Sequence, residues 1–321
     1  MNTHRELKAF AREHRHLTWR LLIGTLVAAA ACAAVVVTAD TWWLALGASV
    51  ALGLVRIRLG MFFHDYMHKA IFKGSRLGGV VMSAVGISML TSPRLWLEWH
   101  QEHHWHAGQP DATAVFGGFP MMTLDGWRRA SVRERRRYRL GRHPLVIAFA
   151  YFTMFVFMMN IQPIAREPRK RPWLWTTLAI HVAALFTTGF VFGWLTAFCL
   201  VVLPLVVAHG VLGYMFFAQH NFPGIDLRSG DDWSHDHAAL RSSSFFEMSP
   251  LMHWFTGNLG YHHVHHMNHR VPFYRLPDAM EAIPTLRAPT KTSWRPSDML
   301  ASLRLAVWDA EHARMVTYTE L

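Results

Sequence analysis

Cysteine and acidic residues are scarce in this chain of 321 residues. Two cysteines, Cys32 and Cys199, lie inside apolar runs, which excludes a disulfide-stabilised fold and a cysteine-based metal site. Asp and Glu number 21 against 32 Lys and Arg, so the formal charge is +11. Hydrophobic residues make up 52% of the chain and charged residues 17%. This balance argues against a soluble enzyme and against a purely hydrophobic bundle, and it favours a chain with a membrane half and a polar half.

The positive charge does not indicate a nucleic-acid partner. Its Arg and Lys residues cluster beside apolar runs, most densely in residues 128–142 and 166–171. At such positions basic side chains orient membrane helices and contact anionic lipid. We therefore expect a membrane protein that binds no nucleic acid. The two clusters could also attract an acidic electron-donor protein.

Four apolar runs are about the ~20 residues that a membrane-spanning helix needs. They cover residues 21–39, 42–63, 173–190 and 194–217. The link within each pair lacks Lys and Arg, whereas basic residues flank the outer ends, so the positive-inside rule places both termini in the cytoplasm. The first run could also be read as a secretory signal peptide, although it is long for one and further spans follow.

Two shorter apolar segments, residues 77–92 and 145–161, have basic residues at both ends. Such flanks predict that each segment starts and finishes on one side of the membrane, as an interfacial or re-entrant helix. The predicted fold is thus all-α and integral to the membrane, a single domain over residues 1–321. It has a cytoplasmic N-terminus (1–20), a membrane region (21–217) and a cytoplasmic cap (218–321). An amphipathic helix is expected from Ser297 to about Tyr318.

Histidine is abundant, with 22 residues, and three groups share an unusual spacing. An i, i+4 pair, or an i, i+3, i+4 triplet, places its imidazoles on one face of a helix. His263 would point about 100° away from such a face, so we leave it out of the predicted site. The three groups are His64 and His68, then His100, His103 and His104, and finally His262, His265 and His266.

His220 follows the fourth apolar run on the predicted cytoplasmic side and brings the candidate ligands to nine. One metal ion takes about four to six ligands, so nine imidazoles suit two ions. Imidazole binds Fe, Zn, Cu and Ni, and composition alone does not choose among them. Three other histidines are set aside as packed, in-span or out-of-register residues: His181, His209 and His253. His106 continues the second group and could support its ligands from outside.

Ligating histidines usually donate their second ring N–H to a carboxylate or carbonyl oxygen. Candidates for this supporting role are Asp65, Glu102, Asp111 and Asn258, and an ordinary surface or capping role is the alternative for each. One shared site also requires that residues 77–92 do not cross the membrane. A crossing there would put the first and second histidine groups on opposite sides.

The three groups match the pattern HxxxH, HxxHH and HxxHH, and the sequence resembles the membrane fatty acid desaturase family over about residues 20–285. The segments 216–222, 257–261 and 271–277 resemble the bacterial acyl-lipid branch. The resemblance implies a di-iron centre on the cytoplasmic side of a bacterial inner membrane, with O2 as co-substrate. It implies that the iron ligands are His64, His68, His100, His103, His104, His220, His262, His265 and His266.

The sequence departs from part of the family at one position. Animal acyl-CoA desaturases have an Asn four residues before the histidine comparable to His220, and this chain has Phe216 there. A water-mediated Asn contact to iron is therefore not carried over. No cytochrome b5-like or rubredoxin-like segment is found in the 321 residues. The electrons are therefore expected from a separate ferredoxin-like or cytochrome-like donor. Zinc in a purified sample would indicate misloading.

The expected reaction follows from the substrate's chemistry. An alkyl C–H bond offers neither an acidic proton nor a leaving group, so its oxidation needs O2 activated at a metal. We expect a C=C bond to be formed in a membrane-lipid acyl chain with O2 and two external electrons. One alternative is a lipid or alkane hydroxylase on the same scaffold. Another is a membrane metal transporter or sensor, which would need histidines inside the spans, where only His181 and His209 lie. The double-bond position, the chain length and the acyl carrier stay open.

Overall fold

The structure is a computed structural model that describes residues 3–110 and 119–321. Asp111, one of the predicted supporting residues, lies outside these ranges. The described chain is mostly helical, with four helices long and apolar enough to cross a membrane, which confirms the predicted all-α membrane fold.

The first two spans form a helical hairpin. After a short α1 (Thr3–Leu7), α2 covers Arg15–Thr38 and α3 covers Trp42–Met67. At 1.5 Å per residue each is long enough for a hydrocarbon layer of about 30 Å. Half of the apolar window of α3 is buried, against 17% for α2, because α3 packs between α2 and the last span. Most side chains of α2 instead lie on the outer surface of the helices, where lipid would contact them.

A bent helix pair follows the first hairpin. It consists of α4 (Arg76–Ser88) and α5 (Pro93–His106), which meet at 84°. The end of α4 lies beside α3, where Arg56 donates to the Ser88 carbonyl. Arg56 precedes His64 by eight residues, or about 12 Å along a helix, which is less than half the bilayer's hydrocarbon depth. Helix α5 then returns to the histidines. The bend suits either a re-entrant pair, one of the two forms predicted for residues 77–92, or a broken span.

A second irregular segment lies between the two hairpins. Its apolar part exposes Phe149, Phe152 and Phe157 by about half, and Asn160 ties it to the α4–α5 bend by donating to the Leu90 carbonyl over 2.9 Å. This segment, predicted as residues 145–161, is not among the four candidate spans found in the described chain. Its elements are α6 (Leu124–Arg129), α7 (Val132–Gly141), α8 (Pro144–Ala148), a π-helix (Tyr151–Ile161) and α9 (Gln162–Arg166).

The second hairpin completes the membrane part. Its first helix, α10, covers Pro172–Phe192, and Gly193 makes the turn with a φ of +88°. The last span is continuous over Trp194–Gln219, although its hydrogen bonding changes along its length. It comprises α11 (Trp194–Ala197), a π-helix (Phe198–Val202) and α12 (Leu203–Gln219).

Residues 220–321 form the cap. Its main core cluster joins Phe62 and Phe63 of α3 to Val264 and Phe273 of the cap, so the polar half is packed directly onto a membrane helix. The strand β1 (Phe245–Glu247) pairs in parallel with β2 (Lys291–Ser293), and β3 (Leu305–Asp309) pairs antiparallel with β4 (Arg314–Thr317). The cap elements are α13 (His235–Arg241), β1 (Phe245–Glu247), α14 (Pro250–Phe255), α15 (His262–Met267), α16 (Leu276–Ala282), β2 (Lys291–Ser293), α17 (Pro296–Arg304), β3 (Leu305–Asp309) and β4 (Arg314–Thr317).

The predicted C-terminal helix to Tyr318 is wrong beyond Arg304. The chain there turns into the β3–β4 hairpin, in which Val307 and Trp308 are buried. Asp309 starts the turn, because its carboxylate accepts from the backbone N–H groups of Glu311 and His312. A helix would leave Asp309 without these bonds and would bring only one face of the apolar run into the core.

Candidate metal centre

All nine predicted histidines lie together at one end of the membrane helices. Helix α3 carries His64 and ends just before His68, α5 carries the second triplet, and α15 carries the third. His220 caps the C-terminus of α12. The bend between α4 and α5 makes this assembly possible, since α5 brings its triplet back to the end of α3.

The histidines form two compact groups. Within each group, one ring nitrogen per residue lies within 4.8 Å of the ligand nitrogens of the others. The first histidine group consists of His64, His68, His100 and His265, and the second histidine group consists of His103, His220, His262 and His266.

Two of the three sequence motifs are divided between the groups. His100 belongs to the first group and His103 to the second, and His265 and His266 are divided in the same way. His104 lies between the groups. Its Nε2 is 3.1 Å from that of His100 and 3.0 Å from that of His265, while its ring centroid is 4.5 Å from that of His266. The two groups are thus built on shared helices and stand side by side.

The spacing of the ring nitrogens fits metal ions. In the second histidine group, the Nε2 atoms of His103 and His266 are 3.1 Å apart, those of His262 and His266 are 3.0 Å apart, and those of His220 and His262 are 2.8 Å apart. Two imidazoles at a right angle on one ion, with bonds of about 2.1 Å, would have nitrogens about 3.0 Å apart.

The first histidine group gives a further sign of fit. The Nε2 atoms of His64 and His68 are buried and have no hydrogen-bond partner among the described residues. Buried polar atoms are rarely left unpaired in proteins, because each loses its interactions with water. A metal ion would satisfy both atoms. The donor set is all imidazole, which accepts iron, zinc and other first-row ions.

The protonation state also suits metal binding. Burial, and next the neighbouring imidazoles, hold the pKa values of His262, His265 and His266 well below the ordinary histidine value. Burial lowers the pKa of His220 to about 4. These rings are therefore neutral near pH 7, and their lone pairs are available without the release of a proton.

Two histidine rings are oriented by contacts to Nδ1, the ring nitrogen that faces away from the histidine group. The Nδ1 atom of His64 lies 3.0 Å from Oδ1 of Asp65, whose Oδ2 accepts from the backbone N–H of Phe273 over 2.6 Å. The Nδ1 atom of His220 donates to the Ser242 carbonyl over 3.0 Å. Both bonds leave Nε2 as the nitrogen that faces the group. Asp65 therefore lies where the sequence predicted a supporting carboxylate.

Glu102 and Asn258 have other contacts. The Glu102 carboxylate pairs with Nδ1 of His106 at 3.1 Å on the surface, and the Asn258 amide donates to the Phe273 carbonyl over 3.0 Å. Neither contact is to a histidine of the two groups. Gly257, just before Asn258, has a φ of +52°, and a Cβ there would lie 2.8 Å from Cβ of Met61. This close approach fixes the chain that leads into α15.

Sequence reasoning missed two residues that line the site. Trp96 stacks on His100 with ring centroids 4.2 Å apart and planes at 21°. Its position four residues before His100 was the available signal, because i and i+4 share a helix face. The ring of His269 lies 4.7 Å from His68 and 5.4 Å from His104. His269 follows the end of α15, so helical spacing could not place it.

The histidines that were set aside lie elsewhere. The Nε2 of His263 is 3.1 Å from the Leu286 carbonyl. His181 bonds to the Tyr151 hydroxyl at 2.8 Å, and His209 stacks on Phe155 with centroids 3.5 Å apart. None of these three contacts involves a histidine of the two groups.

A small cavity of about 40 Å³ adjoins the second histidine group. His103, His220, Phe216 and Arg142 are among its lining residues. This volume can admit water or a diatomic gas. The ring of Phe216 lies 4.7 Å from the ring of His103 and forms one side of the cavity. Arg142 is buried, and it donates to Oδ1 of Asn221, the neighbour of His220, over 2.6 Å.

Four apolar spans, with two groups of four imidazoles at one end, define a membrane protein whose histidine clusters could hold metal ions. Comparison with known proteins agrees. The family model for fatty acid desaturases matches residues 40–297. A fatty acid desaturase of Bacillus subtilis is 33% identical over 267 residues, which cover 81% of this chain and 74% of that protein. The chain belongs to the fatty acid desaturase family, and it is therefore an oxidoreductase.

The name of a second, less similar relative mentions a lipid and an electron donor. It is an sn-1 acyl-lipid omega-3 desaturase (ferredoxin) from a Synechocystis species, 25% identical over 235 residues. The match covers 68% of this chain and 62% of that protein.

Proposed function

We propose that this chain desaturates the acyl chain of a membrane lipid, using two iron ions, O2 and two electrons from a separate donor protein. The observation that carries this proposal is the division of the second and third histidine motifs between two adjacent groups. A single ion would need one group, whereas two adjacent groups on shared helices suit a pair of ions.

Bound iron would supply the oxidation of an unactivated C–H bond by O2, which no amino-acid side chain can perform. The protein's own contribution is to hold and orient. Neutral imidazoles at 2.8–3.1 Å from one another form a preorganised ligand set. Asp65 and the Ser242 carbonyl fix the rings of His64 and His220. Trp96 packs against His100, and Phe216 packs against His103.

A lipid substrate is supported by the position of the site. The two histidine groups lie where α3 and α12 end, so an acyl chain can approach from the bilayer. Large apolar side chains are exposed on the membrane helices, among them Ile23 and Val27 on α2. The names of the relatives are consistent with an acyl lipid as substrate and a ferredoxin as donor. We place both termini and the site in the cytoplasm of a bacterial cell, following the charge map.

The basic helix α7 supports a surface for an acidic donor or for anionic headgroups. Arg133, Arg136, Arg137 and Arg139 are exposed on it. Replacing these four with Gln and measuring donor affinity against salt would identify a docking surface, because the loss of charge pairs should flatten the salt dependence. An unchanged salt slope would leave α7 with a role in membrane orientation alone.

The proposal is tested by expression in a host with a simple lipid composition, followed by fatty-acid profiling with location of double bonds. His103→Ala should abolish the new unsaturated product and lower the iron content, while the chain stays inserted in the membrane. His16→Ala, which removes an exposed histidine outside the site, is the matched control and should retain the product. Full activity in His103→Ala would remove this residue from the ligand set.

The same samples separate the alternative functions. A desaturase product lacks two hydrogens relative to its substrate, whereas a hydroxylase product gains one oxygen atom, and mass spectrometry distinguishes them. A transporter would move metal across vesicles without consuming O2. Metal analysis belongs to the same experiment, because imidazole sites bind Zn²⁺ at least as tightly as Fe²⁺ and a zinc-loaded sample would be inactive for that reason.

A further inference from the structure

A third cluster of metal-binding side chains lies apart from the two histidine groups. It consists of His4, His235 and Asp236, whose ligand atoms lie within 4.8 Å of one another. Nε2 of His4 is 2.6 Å from Oδ1 of Asp236, and the rings of His4 and His235 have centroids 6.1 Å apart. We propose that this cluster is a surface site for a divalent transition-metal ion.

The cluster joins two distant parts of the chain. His4 lies on α1, and its two partners begin α13. Helix α1 is held by contacts of its own, since Leu7 is fully buried and Thr3 Oγ1 is 3.0 Å from Oγ1 of Thr285. His4 is therefore brought to α13 by packing, before any ion binds. A preorganised set of ligands loses less conformational entropy on binding.

The ligand chemistry is specific. Two imidazoles and one carboxylate are a donor set that zinc, iron and nickel accept, and a three-residue set leaves further coordination positions for water. His4 and Asp236 are about half exposed, at 47% and 52%, so these positions would face solvent. The set differs from the two interior groups, which contain imidazole only.

A simple ion pair between His4 and Asp236 would not require His235. The structure offers a direct comparison, because His312 and Asp309 form such a pair at 2.8 Å. That pair belongs to none of the groups of three or more candidate ligands found in the described residues. The second imidazole is the feature that separates a metal site from a charged contact.

An ion at this site would fasten the N-terminal segment to the cap. Helix α13 packs against α15, which carries the third histidine motif. The ion would therefore stabilise the position of α15 through α13, without contacting the histidines of the two groups. This role is independent of the reaction that the enzyme catalyses.

The test uses the full-length purified protein with its interior groups loaded and excess metal removed. Ni²⁺ is the probe, bound ions are counted after equilibrium dialysis, and iron is measured in the same samples to show that it is retained. The wild type should bind one additional Ni²⁺ per chain. His4→Ala, His235→Ala and Asp236→Asn should each weaken this binding about tenfold or more, whereas His312→Ala should leave it unchanged.

A second measurement follows the N-terminal segment itself. Lys8 and Arg12 are exposed, and Ni²⁺ should slow tryptic cleavage after them several-fold in the wild type but not in His4→Ala. Since His4 lies on a short terminal helix, this variant keeps the test valid if His235→Ala fails to fold. No additional Ni²⁺ in the wild type, or additional Ni²⁺ retained in His4→Ala, would overturn the site and leave an ion pair only.

Discussion

Asp65 offers the sharpest test of how the first histidine group is held. Its side chain is 2% exposed, with Oδ1 3.0 Å from Nδ1 of His64 and Oδ2 2.6 Å from the Phe273 nitrogen. Asp65→Asn keeps the shape of the side chain but replaces one acceptor oxygen with an NH2 group. That group must face either the His64 ring or the Phe273 N–H, so one hydrogen bond is lost and two donors meet.

The size of the effect follows from the bond that is lost. A hydrogen bond to a charged group contributes about 1.5–3 kcal/mol, which corresponds to a factor of about 10 to 100 in affinity, the range found for residues that support metal ligands. We expect Asp65→Asn to lower the iron affinity of the first histidine group by this factor and to leave the second group largely loaded. The assay measures the iron bound per chain as the concentration of a chelator is raised.

The control for this variant is Asp309→Asn. It alters a similarly buried carboxylate that also bonds a histidine and a backbone N–H, but it lies in the β3–β4 turn. It should retain the wild-type chelator midpoint. A wild-type chelator midpoint in Asp65→Asn would contradict the supporting role of this carboxylate. Equal loss of both ions would point to a general folding defect instead.

Three further predictions concern the surroundings of the site. Arg142→Gln should lower the stability of the detergent-solubilised protein by about 2–3 kcal/mol, measured by thermal unfolding, because Asn221 and other buried acceptors lose a charged donor. Gly257→Ala should reduce folded yield and iron content, since its positive φ and the contact with α3 together cost about 2–4 kcal/mol. Metal-free protein should lose stability as the pH falls from about 6.5 towards 4, because the pKa of His220 is lowered to about 4 and the unfolded chain takes up the proton first; unfolding temperature against pH measures this.

Each of these predictions has its own check. Arg136→Gln removes an exposed charge and should leave the unfolding temperature unchanged, so equal losses in both arginine variants would contradict the role of burial. Gly224 also has a positive φ but open space around a Cβ, so Gly224→Ala reports the strain without the clash and should be milder than Gly257→Ala. A flat unfolding temperature between pH 6.5 and 4 would show that neutral buried histidines contribute nothing to acid sensitivity.

The membrane part of the fold could be predicted from the sequence, since hydropathy and charge act locally. The run 42–63 was found, although α3 continues to Met67 because a helix can extend past the apolar layer into polar surroundings. The basic flanks of residues 77–92 indicated an interfacial or re-entrant segment because charge reports the side of the membrane. The π-helix at Tyr151–Ile161 had no sequence signal, as its apolar residues suit an α-helix equally well.

The sequence predicted which histidines come together in the site, but not how they are divided between the two groups. Spacing places His262, His265 and His266 on one helix face, yet only the packing of α15 against its neighbours sends His265 to one group and His266 to the other. Glu102 illustrates the opposite error. It stands within the second motif, but its carboxylate points to His106 on the surface. The β3–β4 hairpin was missed because its residues also suit an amphipathic helix, and tertiary burial decided between the two.

The division of the motifs has a consequence for assembly. Because α5 and α15 each supply histidines to both groups, one helix alone could not hold a bound ion, and positioning a helix for one ion would also position it for the other. Loading of one group is then expected to raise the metal affinity of the other. Because α15 supplies histidines to both groups, a sliding movement of this helix would disturb both groups together.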